Sequence, residues 1–576
     1  MSSRPLTNDI TTSEPSPRFR LFGTSSTYVS AVRRLQREAR AQTASLVRLE
    51  DALGKRAEWE LKWGDAMAGA KSKSLLTRWL RSCRLKLTDW QLAQQGLYWE
   101  VMGQYQSQLT AHHQTLARLL CASNACRLQR ALDRHRQQLV TLSKALRART
   151  NRRQQDWFAQ ADLAFLLRTF PVWMTTLADA SELLPLKPEL FDLAIVDEAT
   201  QCDMASCLPI FFRARRAAIT GDPRQLRHLS FVSRERQRQL AAKWELTETQ
   251  LEACDYREKS LLDRVNESLR SQQQVAFLDE HFRSRPRIIA FSNREFYQGA
   301  LKVMTERPET LAQPSVVFRP VSGQRSPGGP NREEAEQLVA EVAGWVESEK
   351  DLAPGIAHSL GVLSPFREQV DFLFARLSKR LSLSAIEKHR LRVGTAHSFQ
   401  GEERDIMFLS FAVDRQAHPA SLRFLDRPDV FNVSITRARN LQIVFCSLQP
   451  DDLPGSSLLR RYLETIARPP TETSGPSPPD AFLREVQDAL IARRFKTWPC
   501  YAVAGVPVDL LVEKGGRSLG LDLIGHPGQL APAFDLEKYR LFQRAGLRLF
   551  PLSLSAWRKE RPACLEAIEQ WISKHA

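Results

Sequence analysis

At 576 residues the chain is too long for a single hydrophobic core, and about three or four domains are expected. Its 43% hydrophobic and 26% charged residues are ordinary for a globular protein, and no apolar run reaches the roughly 18 residues of a membrane-spanning helix. Lys+Arg 82 against Asp+Glu 65 leaves a charge of +17, which favours a polyanionic partner because neutralised phosphates release condensed counterions.

The opening "MSSRPLTNDITTSEPSPRFR" is polar and does not read as a signal peptide. Residues 26–160 are rich in Arg, Gln, Leu and Ala, and apolar side chains recur at helical spacing in "SQLTAHHQTLARLLCASNACRLQRALDRHRQQLVTLSKALRART". Long helices in an antiparallel stalk are expected, either as a solvated spacer or as a nucleic-acid contact. The nine cysteines are scattered. The closest pairs, Cys121/Cys126 and Cys202/Cys207, lack a second pair or histidines at zinc-site spacing, so reduced thiols in a cytoplasmic protein are expected.

From Phe165 to Ser447 short apolar runs alternate with amphipathic helical segments: "FDLAIVD", "RAAITGD", "SLGVLSP", "LRVGTAHSF", "RDIMFLSFAV" and "LQIVFCS". Unalternated strands between helices indicate parallel sheets buried on both faces, with ligands at the carboxyl ends of the strands. Polar clusters fall at those ends: Asp197-Glu198, Gly221-Asp222, Ser364, Thr395 and Ser398. A Pro/Ser/Thr-rich stretch at 467–480 reads as a linker. The segment at 481–576 opens on an amphipathic helix, followed by a hairpin and a further helix.

Asp197 and Glu198 close the run "FDLAIVDEATQ", where one carboxylate can hold magnesium and the next can face an attacking water. "ITGDPRQL" then places Gly221, Asp222 and Gln225 at the end of the next strand. Further on come Arg283 in "LDEHFRSRPR", Thr395, Ser398, Gln400, Gly401 and Glu402 in "VGTAHSFQGEERDIMFLS", and Arg437 and Arg439 in "FNVSITRARN". This ordered series resembles motifs II to VI of superfamily 1 helicases of the Upf-like branch, over roughly residues 165–450.

The resemblance implies an α/β protein of two RecA-like domains that clamp ATP and Mg2+ and move along a single strand. By that resemblance Asp197 binds magnesium, Glu198 is the general base and Gln225 senses the γ-phosphate. Arg283 and Arg437 act as fingers on the transferring phosphoryl group. Gln400, Gly401 and Glu402 couple nucleotide to strand. Thr175 or Thr176, together with Thr395 and Ser398, touch the nucleic-acid backbone. The expected domains are a remnant of the first RecA-like domain at 1–25, the helical stalk at 26–160, and the first RecA-like domain at 161–268. The second RecA-like domain follows at 269–466, then the linker and a C-terminal domain at 481–576.

The Walker A pattern G-x-x-x-x-G-K-[ST] occurs nowhere in the sequence. Its nearest imitation, "GDAMAGAKS" at Gly64–Ser72, has one residue too many before Lys71 and no buried strand ahead of it. "PRFRLFGTSSTYVSAVRRL" resembles the stretch after motif Ia, so the first sheet is expected to be incomplete, with exposed apolar edges. Three readings stay open: a C-terminal portion of a longer polypeptide, a P-loop supplied by a separate chain, or a helicase fold kept as a binding module.

In "VPVDLLVEKGGRSLGLDLIG" a two-residue turn at Gly515-Gly516 sets Asp509 opposite Asp522, with Val508, Leu510 and Val512 facing Leu523, Leu521 and Leu519. The opposed carboxylates repel by up to about a kcal/mol, a cost a divalent cation relieves. The segment resembles the Vsr-like branch of the PD-(D/E)xK nuclease fold, a small restriction-endonuclease-like α/β domain. That resemblance implies a metal held by Glu485, Asp509 and Asp522. Ile524 stands where a second polar residue is usual, and Lys538 is the candidate substitute. The expected partner is single-stranded or duplex nucleic acid, with DNA favoured, and no membrane; the C-terminal domain is either an active nuclease or a DNA-binding relic.

Overall fold

The computed structural model describes residues 25–68, 75–228, 230, 232–253, 255–468, 481–525 and 534–574. They fall into two units, Met1–Trp173 with Thr473–Ala576, and Met174–Glu472. Most of the expected remnant at 1–25 and of the linker at 467–480 lies outside the described residues.

The first unit opens with three helices, α1 (Ser25–Ala68), α2 (Leu75–Gln94) and α3 (Tyr98–Arg147). Leu35, Ala39, Leu46, Leu53 and Ala57 are buried along α1, a seam at helical spacing. The Tyr98 hydroxyl donates to the Leu53 carbonyl at 3.0 Å, that of Tyr105 to Glu50 at 3.0 Å, and that of Thr115 to Glu38 at 3.3 Å. Partners recede along α1 as α3 advances, so the two helices are antiparallel.

Among the described residues the second unit holds three parallel sheets, the smallest a two-residue pairing of Glu280–His281 with Lys302–Val303. β1 (Ala194–Val196) pairs with β2 (Ala217–Ile219), Val196 opposite Ile219. Leu193 and Ile195 are exposed. Helix α4 (Met204–Phe212) connects the two strands. The larger sheet comprises β3 (Val316–Pro320), β4 (Leu360–Leu363), β5 (Arg392–Gly394), β6 (Arg404–Ser410) and β7 (Ala438–Cys446). Its order is β3-β7-β6-β4-β5, and every neighbouring pair is parallel. One core takes Leu363, Met407, Leu409, Val444 and Cys446; the other takes Val362, Ile406, Phe408, Ile443 and Phe445. Alternate residues of each strand thus feed opposite faces, which is why the strands read as continuous apolar runs. Helices α5 (Pro286–Tyr297), α6 (Arg332–Ser348), α7 (Arg367–Arg380) and α8 (Pro428–Ile435) contribute to these cores.

Returning to the first unit, α9 (Ala481–Ala492) precedes an antiparallel ribbon of β8 (Lys496–Val503), β9 (Val506–Lys514) and β10 (Arg517–Ile524). Gly515 and Gly516 have φ of 61° and 74°, the pair of positive values a tight hairpin turn requires. Leu510 faces Leu521 and Val512 faces Leu519, the register expected from the turn. Helix α10 (Leu536–Arg544) leads to β11 (Leu549–Ser553), which pairs in parallel with β10.

This C-terminal sheet domain packs on the stalk. Glu60 of α1 is fully buried, ion-paired to Arg56 at 3.0 Å and accepting from the Ser555 hydroxyl at 2.8 Å. A Cβ on Gly525 would lie 3.2 Å from Glu60, so glycine permits the close approach. Trp99 of α3 stacks on Phe550 of β11, centroids 5.3 Å apart.

At the carboxyl ends of β6 and β7, a second buried acid organises the larger sheet. Glu334 of α6 accepts from the Ser410 hydroxyl at 2.7 Å, the Ala412 N–H at 2.9 Å and the Ser447 hydroxyl at 3.2 Å. Gln369 of α7 joins this network through Ser410 and Asn331. Burial pushes the Glu334 carboxyl up to about 7, against the pull of those donors. The native state therefore keeps a proton that the unfolded chain releases above its ordinary 4.5. This contribution to stability is present at low pH and is lost as pH rises towards 7. Between pH 5 and 8 the parent is expected to lose on the order of 3 kcal/mol relative to Glu334→Gln. Denaturant unfolding of both proteins across that range checks the slope, and parallel curves refute it.

Candidate active site

The apolar strand β1 ends at Val196, and the chain must turn at once to leave the sheet. Glu198 makes that turn with φ of 52°, a left-handed conformation unusual for a residue with a side chain. Asp197 Oδ1 accepts from the Glu198 N–H at 3.0 Å and from the Thr220 hydroxyl at 3.4 Å. Both carboxylates are thereby presented at the carboxyl edge of the small sheet. Gly221 lies so close that an added Cβ would sit 3.1 Å from the Ala199 nitrogen.

Asp222 forms the next node. Its carboxylate accepts from the Arg224 N–H at 2.9 Å, the Gln225 amide at 2.9 Å and the Tyr297 hydroxyl at 2.6 Å. Tyr297 belongs to α5, so the bond ties the loop after β2 to the elements of the larger sheet. Asn432 of α8 strengthens the tie by donating to the Arg224 carbonyl at 2.9 Å and to the Tyr297 oxygen at 3.1 Å. Leu226 is fully buried against Ala396, Val430 and Val433. The junction is therefore a small apolar core edged by hydrogen bonds.

Arg437 reaches this junction from the start of β7. It is buried, donates to the Val433 carbonyl at 3.1 Å, and points a second nitrogen at Gln225 Oε1, 3.4 Å away. Burial pulls its guanidinium down to about 10; Arg283 acts in the same direction, and Glu198, Tyr297 and Glu403 oppose it. It stays charged at neutral pH. The structure thus brings Gln225 and Arg437 into contact, with Glu198 inside the field of the same guanidinium.

Arg283 is ion-paired to Glu403, which also binds Arg439. Glu402, the acid expected near the nucleotide, instead pairs with Arg392 at 3.2 Å and Arg404 at 2.8 Å, and the Arg404 hydrogen bond holds its carboxyl below the usual range. Gln400 lies 3.5 Å from the Leu226 carbonyl, and Gly401 has φ of 71°. Sequence reasoning missed Glu403, Tyr297 and Asn432. Their signal was weak: Glu403 merely follows Glu402, and the other two stand in helices whose apolar neighbours dominate the pattern.

Of the expected nucleic-acid contacts, Thr175 is exposed and Thr176 caps a short helix by accepting from the Asp179 N–H at 3.1 Å. Thr395 is half-buried at the end of β5, and the Ser398 hydroxyl donates back to its carbonyl at 2.8 Å. Gly394 is needed there, since a Cβ would collide with Ser398 Oγ.

The C-terminal carboxylates are arranged differently from the expectation. Lys538 of α10 lies 2.9 Å from Asp522 and 3.8 Å from Asp509. Burial alone lowers the Lys538 pKa, but Asp522 and Asp509 outweigh it and the net shift is upward. Tyr539 donates to the other Asp522 oxygen at 2.7 Å, and the Leu523 N–H donates to Asp509 at 2.7 Å. Glu485 is held elsewhere, by Arg558 at 3.0 Å and the Trp557 indole at 3.3 Å. Among the described residues no group of three or more His, Cys, Asp or Glu side chains is gathered for a metal ion, and Glu485, Asp509 and Asp522 each have protein partners. The ammonium relieves the repulsion that had suggested a cation.

Among the described residues no helix is long and apolar enough to cross a membrane. Two family models, each described as an AAA domain, match residues 26–230 and 257–449. The chain is 26% identical over 328 residues to an uncharacterized ATP-dependent helicase of Mycoplasma genitalium, covering 53% of this chain and 28% of that protein. It is 27% identical over 310 residues to helicase SEN1 of Saccharomyces cerevisiae, covering 50% and 13%. Against the DNA polymerase alpha-associated DNA helicase A of the same yeast it is 24% identical over 304 residues, covering 48% and 41%. The chain spans less than half the length of each of these relatives. Paired AAA-domain matches and helicase relatives, on a fold with a parallel-sheet core, together support a superfamily 1 helicase.

Proposed function

We propose that the second unit carries the hydrolytic and coupling groups of an ATP-dependent helicase or translocase that acts on single-stranded nucleic acid, with DNA preferred. The observation that carries the proposal is the contact of buried Arg437 with Gln225, in the field of Glu198. Phosphoryl transfer depends on positioning and on stabilising charge spread over the transferring oxygens. A desolvated guanidinium supplies that charge, an amide orients water, and an adjacent carboxylate accepts its proton. Asp197 and the Thr220 hydroxyl are hard oxygen donors that fit Mg2+, which binds through one or two carboxylates together with substrate phosphates. Arg283 must exchange Glu403 for phosphate to act as a second finger.

A second reading, a non-hydrolysing nucleic-acid-binding protein, is favoured by one observation: the Walker A pattern is not spelled in these 576 residues. For the C-terminal domain we propose DNA binding without metal-dependent cleavage, because Lys538 already neutralises Asp509 and Asp522.

Phosphate release by the chain with and without single-stranded DNA separates the two readings of the second unit. Glu198→Gln and Arg437→Ala are each expected to lower strand-stimulated turnover by about 100-fold or more while leaving salt-sensitive strand binding in place. Turnover that survives both substitutions refutes the assigned roles, and binding without any turnover favours the second reading. In the C-terminal domain, Lys538→Met leaves two opposed carboxylates uncompensated and is expected to destabilise by about 3–5 kcal/mol, measured by thermal unfolding. Adding Asp522→Asn should recover much of that loss. DNA cleavage with magnesium or manganese that disappears in Asp509→Ala would instead establish a nuclease.

A further inference from the structure

Helix α2 presents an apolar stripe to solvent. Leu76, Leu80, Cys83, Leu87 and Trp90 follow one another at intervals of four and three, with Trp79 alongside. At about 3.6 residues per turn they share one side of the helix, and all six are exposed. Most amphipathic helices turn such a stripe into a core. In α2 it is the opposite face that packs inward. Thr88 and Leu92 are buried, Arg81 donates to the Ala66 carbonyl at 2.7 Å and to the Met67 carbonyl, and the Leu92 carbonyl accepts from buried Arg56 at 3.2 Å. Asp89, the single acid of α2, accepts from the Trp63 indole at 2.7 Å and pairs with Lys559 at 2.6 Å. The helix cannot roll its stripe inward without giving up these bonds.

The two tryptophans and three leucines expose on the order of 500 Å² of apolar surface along roughly 21 Å of helix, the size at which a patch marks an interaction site. Spacing and charge together define its occupant. The alternation of four and three is a coiled-coil seam over two heptads, and it suits another helix laid alongside. Arg84 and Lys86 flank the seam, one on each side, where they meet the flanking residues of a partner. We propose that α2 is the docking site for an amphipathic helix of a partner protein, one with a leucine-type seam edged by Glu or Asp.

A second copy of the chain fits less well, because it brings the same basic flanks and no acid to pair with them. Single-stranded nucleic acid pairs with the cations and stacks on the tryptophans, but the leucines at the centre of the stripe offer bases no aromatic face. An anionic membrane attracts the same cations, yet a lipid surface requires no alternation of four and three, which a helical partner does. An acidic helix satisfies the leucines, the tryptophans and the cations together. The surface lies apart from the groups assigned to hydrolysis, and the proposal does not rest on the helicase reading.

The test uses the full chain and a fluorescein-labelled peptide of about three heptads, with Leu at the seam positions and Glu on both flanks, read by fluorescence anisotropy. Salt-sensitive binding of one peptide per chain is expected. It should weaken about tenfold or more when the flanks are Lys, and likewise in Leu80→Ser/Leu87→Ser. Arg84→Glu/Lys86→Glu should reverse the preference and select the Lys-flanked peptide, a gain that misfolding cannot produce. Thermal unfolding at the temperature of the parent checks that these exposed substitutions leave the fold in place. Failure of the Glu-flanked peptide to bind, or equal binding by the parent and Leu80→Ser/Leu87→Ser, overturns the proposal. In that event, oligothymidylate binding, recruitment to phosphatidylserine vesicles or self-association that the serine variant loses identifies a strand, a membrane or a second copy as the occupant.

Discussion

The second unit is organised around a guanidinium removed from water. Desolvating a cation is costly, and a buried arginine persists only where fixed acceptors and nearby negative charge compensate it. Arg437 has the Val433 carbonyl, the Thr436 hydroxyl and Gln225 as partners, with Glu198 and Glu403 contributing field. Those groups come from four places: the helix before β7, the loop after β2, the turn after β1 and the residue before β6. Each must be held for the charge to be tolerated. The Asp222–Tyr297–Asn432 bridge and the packing of Leu226 against Val430 and Val433 provide that hold. The energetic requirement of one side chain thus fixes the geometry of the junction. Under the proposed function, that guanidinium is the charge offered to a transferring phosphoryl group.

A corresponding logic operates in the first unit, with the sign reversed. Asp509 and Asp522 each adjoin the paired residues Leu510 and Leu521 of the hairpin, and Lys538 satisfies both. The next residues of the same helix, Tyr539 and Arg540, bind Asp522 on one side and the stalk residues Glu50 and Tyr105 on the other. Consecutive positions of α10 therefore join the carboxylate pair to the stalk. Together with the Arg56–Glu60–Ser555 cluster, this makes the stalk and the C-terminal sheet one packed body although Glu60 and Ser555 lie 495 residues apart, a separation whose closure entropy grows only logarithmically.

What was legible in the sequence follows from range. The hairpin register was readable because Gly515-Gly516 fixes the turn and alternation fixes the rest within a few residues. The parallel sheet was readable because strands covered on both faces lose their alternation, as Ile406 to Leu409 show by feeding two cores. The stalk was readable from its periodicity. Lys538 between the two aspartates was not, because helix α10 approaches β10 by tertiary packing and spacing along the chain carries no record of it. Glu402 and Glu403 illustrate the same limit at one-residue resolution. A motif marks the segment, but which of two adjacent acids binds Arg283 depends on which side of the strand entry each faces.

Glu334 shows why a buried acid is the hardest of these to read. In "REEAEQLVAEV" it stands among other acids on a helix that opens with Asn331 as its cap, and the natural inference is a favourable charge near a helix N-terminus. The structure instead turns it into the sheet, beneath donors from Ser410, Ala412 and Ser447 that end two adjacent strands. Parallel strands leave unsatisfied polar groups at their carboxyl ends, and a single carboxylate with several lone pairs can bind many of them at once. Burying that carboxylate raises its pKa, so the network is tightest where the acid is charged and the fold most favoured where it is neutral. That conflict cannot be removed by any neutral residue of the same size without leaving a donor unmatched. The buried acid is thus the strained but sufficient answer to a problem that the parallel sheet itself creates.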